Sequence, residues 1–370
     1  MMRYQTKPYR ALFHLLKAGL WEQRIESEQL FPLTASEWQS VFLLAQQQTV
    51  LGITYRGLDY IPEQYFPPQE LIMRWVAEIG RIEERNYDSN HSLVELLKLF
   101  GKEGLQPILQ KGQGVATFYD RPLLRTCGDI DLWFPTHEEA DRAAELVKLH
   151  GGSVHKAPDG SRCYMWRGIE VEHHPDLVDL QAPMAKRKAQ RMVAEMTPIM
   201  VTLPEHPETA IATPSAEVNL LLLNTHILKH AIGWGVGLRQ MCDMARAYYS
   251  LHERVDGELI RSLYAKSGLR RWSRLLHAFL VDYLGLEVDY LPYRESQPTS
   301  AEPLLEVVMR GGNFGHFAAD RMANVDRIWQ RKWHTATSFV KNCSFSLRCA
   351  PKEAMWRVWQ LALGQIGWQR

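Results

Sequence analysis

Gly128-Asp129-Ile130-Asp131-Leu132 places two carboxylates in alternation with apolar residues, and Trp133 and Phe134 continue the apolar run. Alternate side chains of a β-strand share a face, so Asp129 and Asp131 are expected to project together from a buried strand. Two neighbouring carboxylates repel each other, and a cation that prefers oxygen ligands, such as Mg²⁺, relieves that repulsion. A pair of solvated aspartates at a turn or sheet edge is the simpler interpretation. The surrounding sequence decides between the two.

The composition is that of a globular protein with room for two or three domains. The chain has 370 residues, of which 46% are hydrophobic. The 43 basic residues nearly balance the 42 acidic ones, which leaves a net charge of +1. Bulk binding of nucleic acid relies on excess positive charge, so the balance argues against it, although a local phosphate pocket is compatible with it.

Neither secretion nor membrane insertion is indicated. The five cysteines, Cys127, Cys163, Cys242, Cys343 and Cys349, are odd in number and include no Cys-x-x-Cys pair. This usage is typical of a reduced protein and offers no zinc-site spacing. The chain starts without a signal-peptide pattern, and the apolar runs at 11–16 and 218–223 are too short to span a bilayer. We therefore expect a cytoplasmic protein without a membrane span.

Hydrophobic periodicity divides the chain into three segments: a helical segment at 1–103, a segment of alternating strands and helices at 104–205, and a helical segment at 206–370. In the middle segment we predict strands at 107–109, 130–134, near 154, 163–166 and 169–174, and a helix that begins at a Thr136/Glu139 capping box and ends at His150. Helices are predicted from about 208 onward, at 218–230, 238–252, 258–266, 269–284, 301–310 and 351–364. The predicted fold class is α+β, with a small mixed β-sheet core between N-terminal helices and a helical C-terminal domain.

A later predicted strand carries further carboxylates. In Ile169-Glu170-Val171-Glu172-His173-His174, Glu170 and Glu172 share one face. Three carboxylates on adjacent strands can hold two divalent cations about 3.5–4 Å apart, which orients a nucleoside triphosphate and stabilises the departing pyrophosphate. Glu172 is the expected third carboxylate, as general base or metal ligand, and Glu170 is its competitor.

Upstream of the aspartates, Lys111-Gly112-Gln113-Gly114 is a predicted turn before a short helix. Glycines let backbone N–H groups approach phosphate oxygens, and a helix N-terminus favours anions. Lys111 and Arg125 would add positive charge. A turn, a helix and two acidic strands in this order indicate phosphate chemistry more strongly than any of these motifs alone.

In combination, Lys111-Gly112, Tyr119, Arg125 and residues 128–132 resemble the core signature of the uncharacterised bacterial nucleotidyltransferase family, part of the DNA polymerase β nucleotidyltransferase superfamily. Glu172-His173-His174 resembles the family's third-carboxylate strand. The stretches 226–230 and 235–243 are similar to its helical half, so the resemblance covers roughly residues 105–250.

The resemblance implies a nucleotidyltransferase core at 104–205. It also implies a metal-dependent transfer of a nucleoside monophosphate from a nucleoside triphosphate, with ATP the expected donor, to a hydroxyl or similar acceptor. Carried over by position, Asp129, Asp131 and Glu172 are the catalytic residues and the ligands of two Mg²⁺ ions. The expected nucleotide-binding residues are Lys111, Gly112, Gln113, Arg125, Gly128, His226, His230 and Arg239. The cleft is expected between the sheet and the C-terminal helices.

Two pairs of polar residues stand four apart in predicted helices. His226 and His230 share a helix face, where they either line the cleft or pack as ordinary core histidines. The His-Glu-x-x-His metalloprotease pattern is absent because Ile227 follows His226, and no His-Asp dyad supports a metal phosphohydrolase. Arg239 and Asp243 are either an ion pair on the helix surface or contacts to the substrate.

Two other functions stay open. Many superfamily members have Gly-Ser in the phosphate loop, whereas Gln113 follows Gly112 here, which motivates the alternative of a catalytically silent module that binds a nucleotide or a partner. The same core also serves in toxins of toxin–antitoxin pairs, which modify RNA or protein, and the near-neutral charge argues against an RNA substrate. The acceptor is open among a sugar, a lipid-linked glycan, a small metabolite, a protein side chain and an RNA end, because fold does not determine it.

Overall fold

The computed structural model describes residues 2–24, 30–157, 159–233, 235–295, 297–311, 344–356 and 359. The N-terminal helices are α1 (Lys7–Trp21), α2 (Ala35–Gln47), α3 (Leu51–Arg56) and α4 (Gln69–Lys102). The middle elements are β1 (Ile108–Gln110), α5 (Gly112–Ala116), β2 (Ile130–Trp133), α6 (His137–Leu149), β3 (His155–Lys156), β4 (Arg162–Trp166), β5 (Ile169–His174), α7 (Pro183–Glu195), β6 (Ile199–Leu203) and β7 (His206–Thr213). The chain continues with α8 (Ala216–Ile232), α9 (Leu238–Leu251), α10 (Gly257–Lys266), α11 (Arg270–Leu284), α12 (Glu302–Gly311) and helical residues at 344–349 and 351–356. Single 3₁₀ turns cover Met2–Gln5, Gly57–Tyr60, Glu63–Tyr65, Pro122–Leu124, His252–Arg254 and Val288–Tyr290.

The main sheet has the strand order β1-β2-β5-β4-β3. Strand β2 pairs parallel with β5, while β1–β2, β5–β4 and β4–β3 are antiparallel, so the sheet is mixed. In the parallel pair Asp131 lies opposite Glu172, and Trp133 lies opposite His174. Insertion of β5 beside β2 brings together two acidic strands that are about forty residues apart in the sequence.

Alternation places the fully buried aliphatic side chains of the two central strands on one face of the sheet. Ile130, Leu132 and Val171 are fully buried and pack in one cluster with side chains of α4 and α6. The side chains between them in the sequence therefore point to the opposite face, where Asp131 and Glu172 lie. The apolar face anchors the sheet, and the acidic face is left for the cleft.

The N-terminal and C-terminal helices share one hydrophobic core. Leu12 of α1, Trp38 of α2 and Trp75 of α4 belong to the same buried cluster as Trp272 and Leu280 of α11. The second half of α4 packs instead on the sheet, through Leu93, Leu96 and Phe100. The division at 103 and 205 into three domains stays a prediction, and the second boundary falls between β6 and β7.

The predicted α+β class is confirmed, and so is the capping box: Glu139 N donates to Thr136 Oγ1 at 3.1 Å and Thr136 N donates to Glu139 Oε2 at 3.2 Å. The prediction of helix from about 208 onward is wrong for residues 208–213, which belong to the β6–β7 hairpin. Few of its side chains are deeply buried, Leu203 and Ile211 among them, so the hairpin has little hydrophobic pattern.

The predicted helix at 351–364 is helical at 351–356, and of the rest only Trp359 is described. The buried cysteines Cys127, Cys163, Cys242 and Cys349 are free, and Cys343 lies outside the described residues. Within the described ranges, every helix is too short or too polar to cross a membrane.

Candidate functional site

The acidic face of the sheet carries a compact group of ligand atoms. Because Asp131 and Glu172 are register partners, their carboxylates lie side by side, and His174 follows two residues along β5. His174 Nε2 is 2.5 Å from Asp131 Oδ1, and His174 Nδ1 is 3.6 Å from Glu172 Oε1. The ligand atoms of the three residues lie within 4.8 Å of one another.

The two aspartates of the opening stretch have opposite electrostatic environments. The negative charge of Asp131, followed by burial, raises the pKa of Asp129 to about 6. Burial opposes ionisation of Asp131 too, but the ammonium of Lys111 and the hydrogen bond with His174 hold the pKa of Asp131 below its usual range. The surroundings therefore stabilise the ionised form of Asp131 and disfavour the ionised form of Asp129.

Lys111 has an unusual backbone conformation at the edge of the site. Its φ of 42° and ψ of −139° are rarely adopted by a residue with a side chain. Its largely buried side chain places Nζ 3.2 Å from Asp131 Oδ1. At Gly112, φ is 38° and a Cβ would lie 3.3 Å from the carbonyl oxygen of Asp129. The positive φ and the close approach to Asp129 therefore both favour glycine at this position of the turn.

The donor set fits a divalent cation. Asp131 and Glu172 supply adjacent carboxylate oxygens, which are the ligands that Mg²⁺ prefers. The raised pKa of Asp129 records repulsion that a cation would relieve. Asp129 lines the same cleft but is not part of the compact group of ligand atoms, which consists of Asp131, Glu172 and His174.

Helix α8 and a loop before α7 form the opposite, basic wall. Asp179 in that loop accepts hydrogen bonds from His226 Nδ1 at 3.3 Å and from Lys229 Nζ at 2.8 Å. Against the effect of burial, these two partners hold the pKa of Asp179 well below its usual range. Burial and the positive charge of Lys111 lower the pKa of His226 to about 4. The ring of His230 lies edge-on to that of His226, with centroids 4.5 Å apart.

A buried ion pair closes the floor of the cleft. Arg125 donates two hydrogen bonds to Asp243 of α9, from Nε to Oδ1 at 3.0 Å and from Nη2 to Oδ2 at 2.6 Å. The Tyr119 hydroxyl also donates to Asp243 Oδ1, at 2.8 Å. Arg239 Nη1 donates to the carbonyl of Thr126 at 2.9 Å. The interpretation of Arg239 and Asp243 as a surface ion pair is wrong, because both are more than nine-tenths buried and Asp243 binds Arg125.

These walls enclose a cleft of about 270 Å³ between the sheet and helices α8 and α9. It is lined by the predicted residues Lys111, Gly112, Arg125, Gly128, Asp129, Asp131, Glu172, His226, His230 and Arg239. Gln113 is not brought to it: its side chain is fully buried and donates to Ser89 Oγ of α4 at 2.5 Å. Exposed Glu170 is not part of the lining either.

Sequence reasoning missed several residues at the site. Asp159, Lys229 and Gln240 line the cleft, and Asp179 holds two of the lining side chains. Lys229 had a local signal, because it lies one position before His230 in the same helix. Asp179 had none, since a loop aspartate 47 residues from His226 forms no periodic pattern with it.

Replacing Asp129 by asparagine is expected to stabilise the metal-free protein. The native pKa of about 6 exceeds the usual 3.8, so between these values the native state binds the extra proton and the free energy of unfolding falls as pH rises. Above this window Asp129→Asn should gain about 3 kcal/mol over wild type, and below it the difference should vanish. Urea denaturation on both sides of the window measures this, with exposed Glu170→Gln as the control. Equal stability of Asp129→Asn and wild type above the window would contradict the electrostatic argument.

Comparison with known proteins identifies the family. No curated protein matches the chain. Among solved structures, it is similar to an antigenic nucleotidyltransferase-like protein from Paracoccidioides brasiliensis, with 12% identity, a TM-score of 0.34, and coverage of 54% of this chain and 94% of that one. A family model described as "uncharacterised nucleotidyltransferase" matches residues 34–285, which is more than half of the chain. The chain therefore belongs to the uncharacterised nucleotidyltransferase family.

Proposed function

We propose that the chain is an active, Mg²⁺-dependent enzyme that transfers a nucleoside monophosphate from a nucleoside triphosphate to an acceptor hydroxyl or similar group. One observation carries the proposal: the parallel register of β2 and β5 sets Asp131 beside Glu172 in a cleft whose other wall is basic. Opposed acidic and basic walls suit a substrate that is a polyanion complexed with a cation.

The acidic wall would hold the cofactor. Asp129, Asp131 and Glu172 are the proposed ligands of two Mg²⁺ ions, which when bound neutralise triphosphate charge and acidify an attacking hydroxyl. His174 contacts both Asp131 and Glu172 and would keep their carboxylates in place.

The basic wall would hold the triphosphate. Lys111, Lys229 and Arg239 line the cleft and carry positive charge that phosphate oxygens would complement. The Lys111-Gly112 turn lies against the backbone of Asp129, so a phosphate bound there would stand next to the acidic wall. The work of these residues is positioning and charge stabilisation.

The proposed donor is ATP, and the proposed acceptor is a sugar, a small metabolite or a protein side chain. The net charge of +1 does not support a long nucleic acid as the partner, because such partners require excess positive charge. We keep the proposal of a cytoplasmic protein on the strength of its cysteine usage.

Calorimetric titration of ATP, GTP, CTP and UTP, with and without Mg²⁺, tests the proposal. We expect wild type to bind a triphosphate in a Mg²⁺-dependent manner and the Asp129→Ala/Asp131→Ala variant to lose that binding. The titration also identifies the preferred base. Absence of binding by folded wild type would contradict the proposal.

A catalytically silent, nucleotide-binding module is the second candidate. Lys111 Nζ lies 3.2 Å from Asp131 Oδ1, so the ammonium group of Lys111 already offsets the charge of a proposed metal ligand. In a silent module this pair would persist and the nucleotide would bind equally well with and without Mg²⁺. The same titration therefore distinguishes the two candidates.

A further inference from the structure

His226 is the cleft residue whose environment the proposed function leaves unexplained. It lies in α8 opposite the acidic wall, and Asp179 reaches it from the loop before α7. The loop is itself held in place: both carboxylate oxygens of buried Glu353 accept backbone hydrogen bonds, from Gln181 N at 2.8 Å and from Ala182 N at 3.0 Å. Asp179 is thus presented to His226 from a supported backbone.

The contact with Asp179 defines which ring nitrogen of His226 can react. A carboxylate only accepts hydrogen bonds, so the nitrogen that faces it, Nδ1, carries the hydrogen. The lone pair of the neutral ring is then on Nε2, and the His226 side chain lines the cleft. The pKa of His226, lowered to about 4 by burial and by Lys111, keeps the ring neutral near pH 7.

We propose that His226 is the general base that accepts the proton of the acceptor hydroxyl, and that Asp179 is the residue that holds its ring in the reactive tautomer. This inference rests on the proposed nucleotidyl transfer. It implies an acceptor that loses a proton on attack, such as an alcohol of a sugar, a metabolite or a side chain, rather than an acceptor already ionised.

The step balances as a substitution at the α-phosphorus. The acceptor oxygen forms a bond to the α-phosphorus while its proton passes to His226 Nε2. The bond between the α-phosphorus and the bridging oxygen breaks, and pyrophosphate leaves with that electron pair. The imidazolium then returns its proton to solvent or to pyrophosphate, which restores the neutral ring.

Other groups in the cleft suit this role less well. Glu172 belongs to the compact acidic group and contacts His174, so its oxygens are committed to that wall. His174 contacts both Asp131 and Glu172. His226 lines the cleft and makes a hydrogen bond through Nδ1 with Asp179, which fixes the orientation of its ring.

The tautomer of His226 is measured without metal or substrate. We expect ¹⁵N-edited NMR of the wild-type imidazole near pH 7 to show the Nδ1–H form and an unprotonated Nε2. Asp179→Asn should produce a mixture of both tautomers in a folded protein. A wild-type ring protonated at Nε2 would overturn the proposal.

Turnover with simple alcohols tests the base directly. Formation of the alkyl ester of the nucleoside monophosphate is followed by mass spectrometry with ethanol and with the more acidic trifluoroethanol. His226→Asn should lower kcat with ethanol by about 10²–10⁴-fold. The loss with trifluoroethanol should be smaller, because attack by a more acidic alcohol depends less on general-base catalysis. Triphosphate binding should be retained. Exposed His150→Asn is the matched control and should behave as wild type.

The outcomes separate this inference from the function on which it rests. Wild type that forms no ester and binds no triphosphate refutes both. If wild type forms esters and the His226→Asn variant has an equal kcat, the role of His226 is refuted while the proposed nucleotidyl transfer stands. Equal losses with the two alcohols also refute His226 as the base, because they indicate a structural role.

Discussion

Asp131→Asn is expected to lower the rate of nucleotidyl transfer by at least about 10³-fold. Loss of the carboxylate removes a proposed cation ligand, and the charge stabilisation at stake is several kcal/mol, each 1.36 kcal/mol being worth a factor of ten. It also removes the partner of Lys111 Nζ at 3.2 Å. Pyrophosphate release under saturating triphosphate and Mg²⁺ measures the effect.

The neighbouring strand provides a matched pair of controls. Glu172→Gln changes the register partner of Asp131 and should lose activity on a similar scale. Glu170→Gln makes the same chemical change two residues earlier, at an exposed position outside the cleft, and should retain activity. If Glu170→Gln were as inactive as Glu172→Gln, the assignment of the third carboxylate would be wrong.

Local patterns predicted the elements that carry the site. The alternation at 128–132 and 169–174 depends only on adjacent residues, and strands form at Ile130–Trp133 and Ile169–His174. The expectation that Asp129 projects from the same strand as Asp131 is wrong, because Asp129 lies just before β2. The Thr136/Glu139 box is also local, and the structure contains it. The family resemblance then placed Glu172 with the aspartates, although nothing in the spacing specifies that β5 pairs with β2.

Long-range contacts are what the sequence could not predict. Asp179 reaches His226 only because the loop before α7 folds over α8. Gln113 stands in the turn predicted to contact phosphate, yet its side chain turns away from the cleft to Ser89 of α4. In both cases the partner is selected by tertiary packing, which leaves no periodic trace in either segment.

Arg125 illustrates how such a contact changes the meaning of a residue. Its charge and position predicted nucleotide binding, and it does line the cleft. However, its guanidinium is committed to Asp243 by two hydrogen bonds, and only 4% of the residue is exposed. We infer that its main work is to hold α9 against the loop that leads into β2.

Breaking this pair is expected to cause the largest loss of stability. Arg125→Met leaves Asp243 buried with an uncompensated charge, and Asp243→Leu does the same to Arg125, so each should cost about 3–5 kcal/mol in the free energy of unfolding. Arg125→Met/Asp243→Leu removes both charges and should cost far less than the sum of the single changes. Chemical denaturation of the three variants measures this coupling.

The exposed pair of Arg261 and Glu258 in α10 makes the same kind of contact at 3.1 Å and is the natural control. Its removal should cost only about 0.2–1 kcal/mol, because water already solvates both charges. If Arg125→Met proved as harmless as Arg261→Met but lost triphosphate binding, Arg125 would be a nucleotide ligand first. If it unfolds the protein while the double variant folds, the burial of Asp243 is what makes Arg125 necessary.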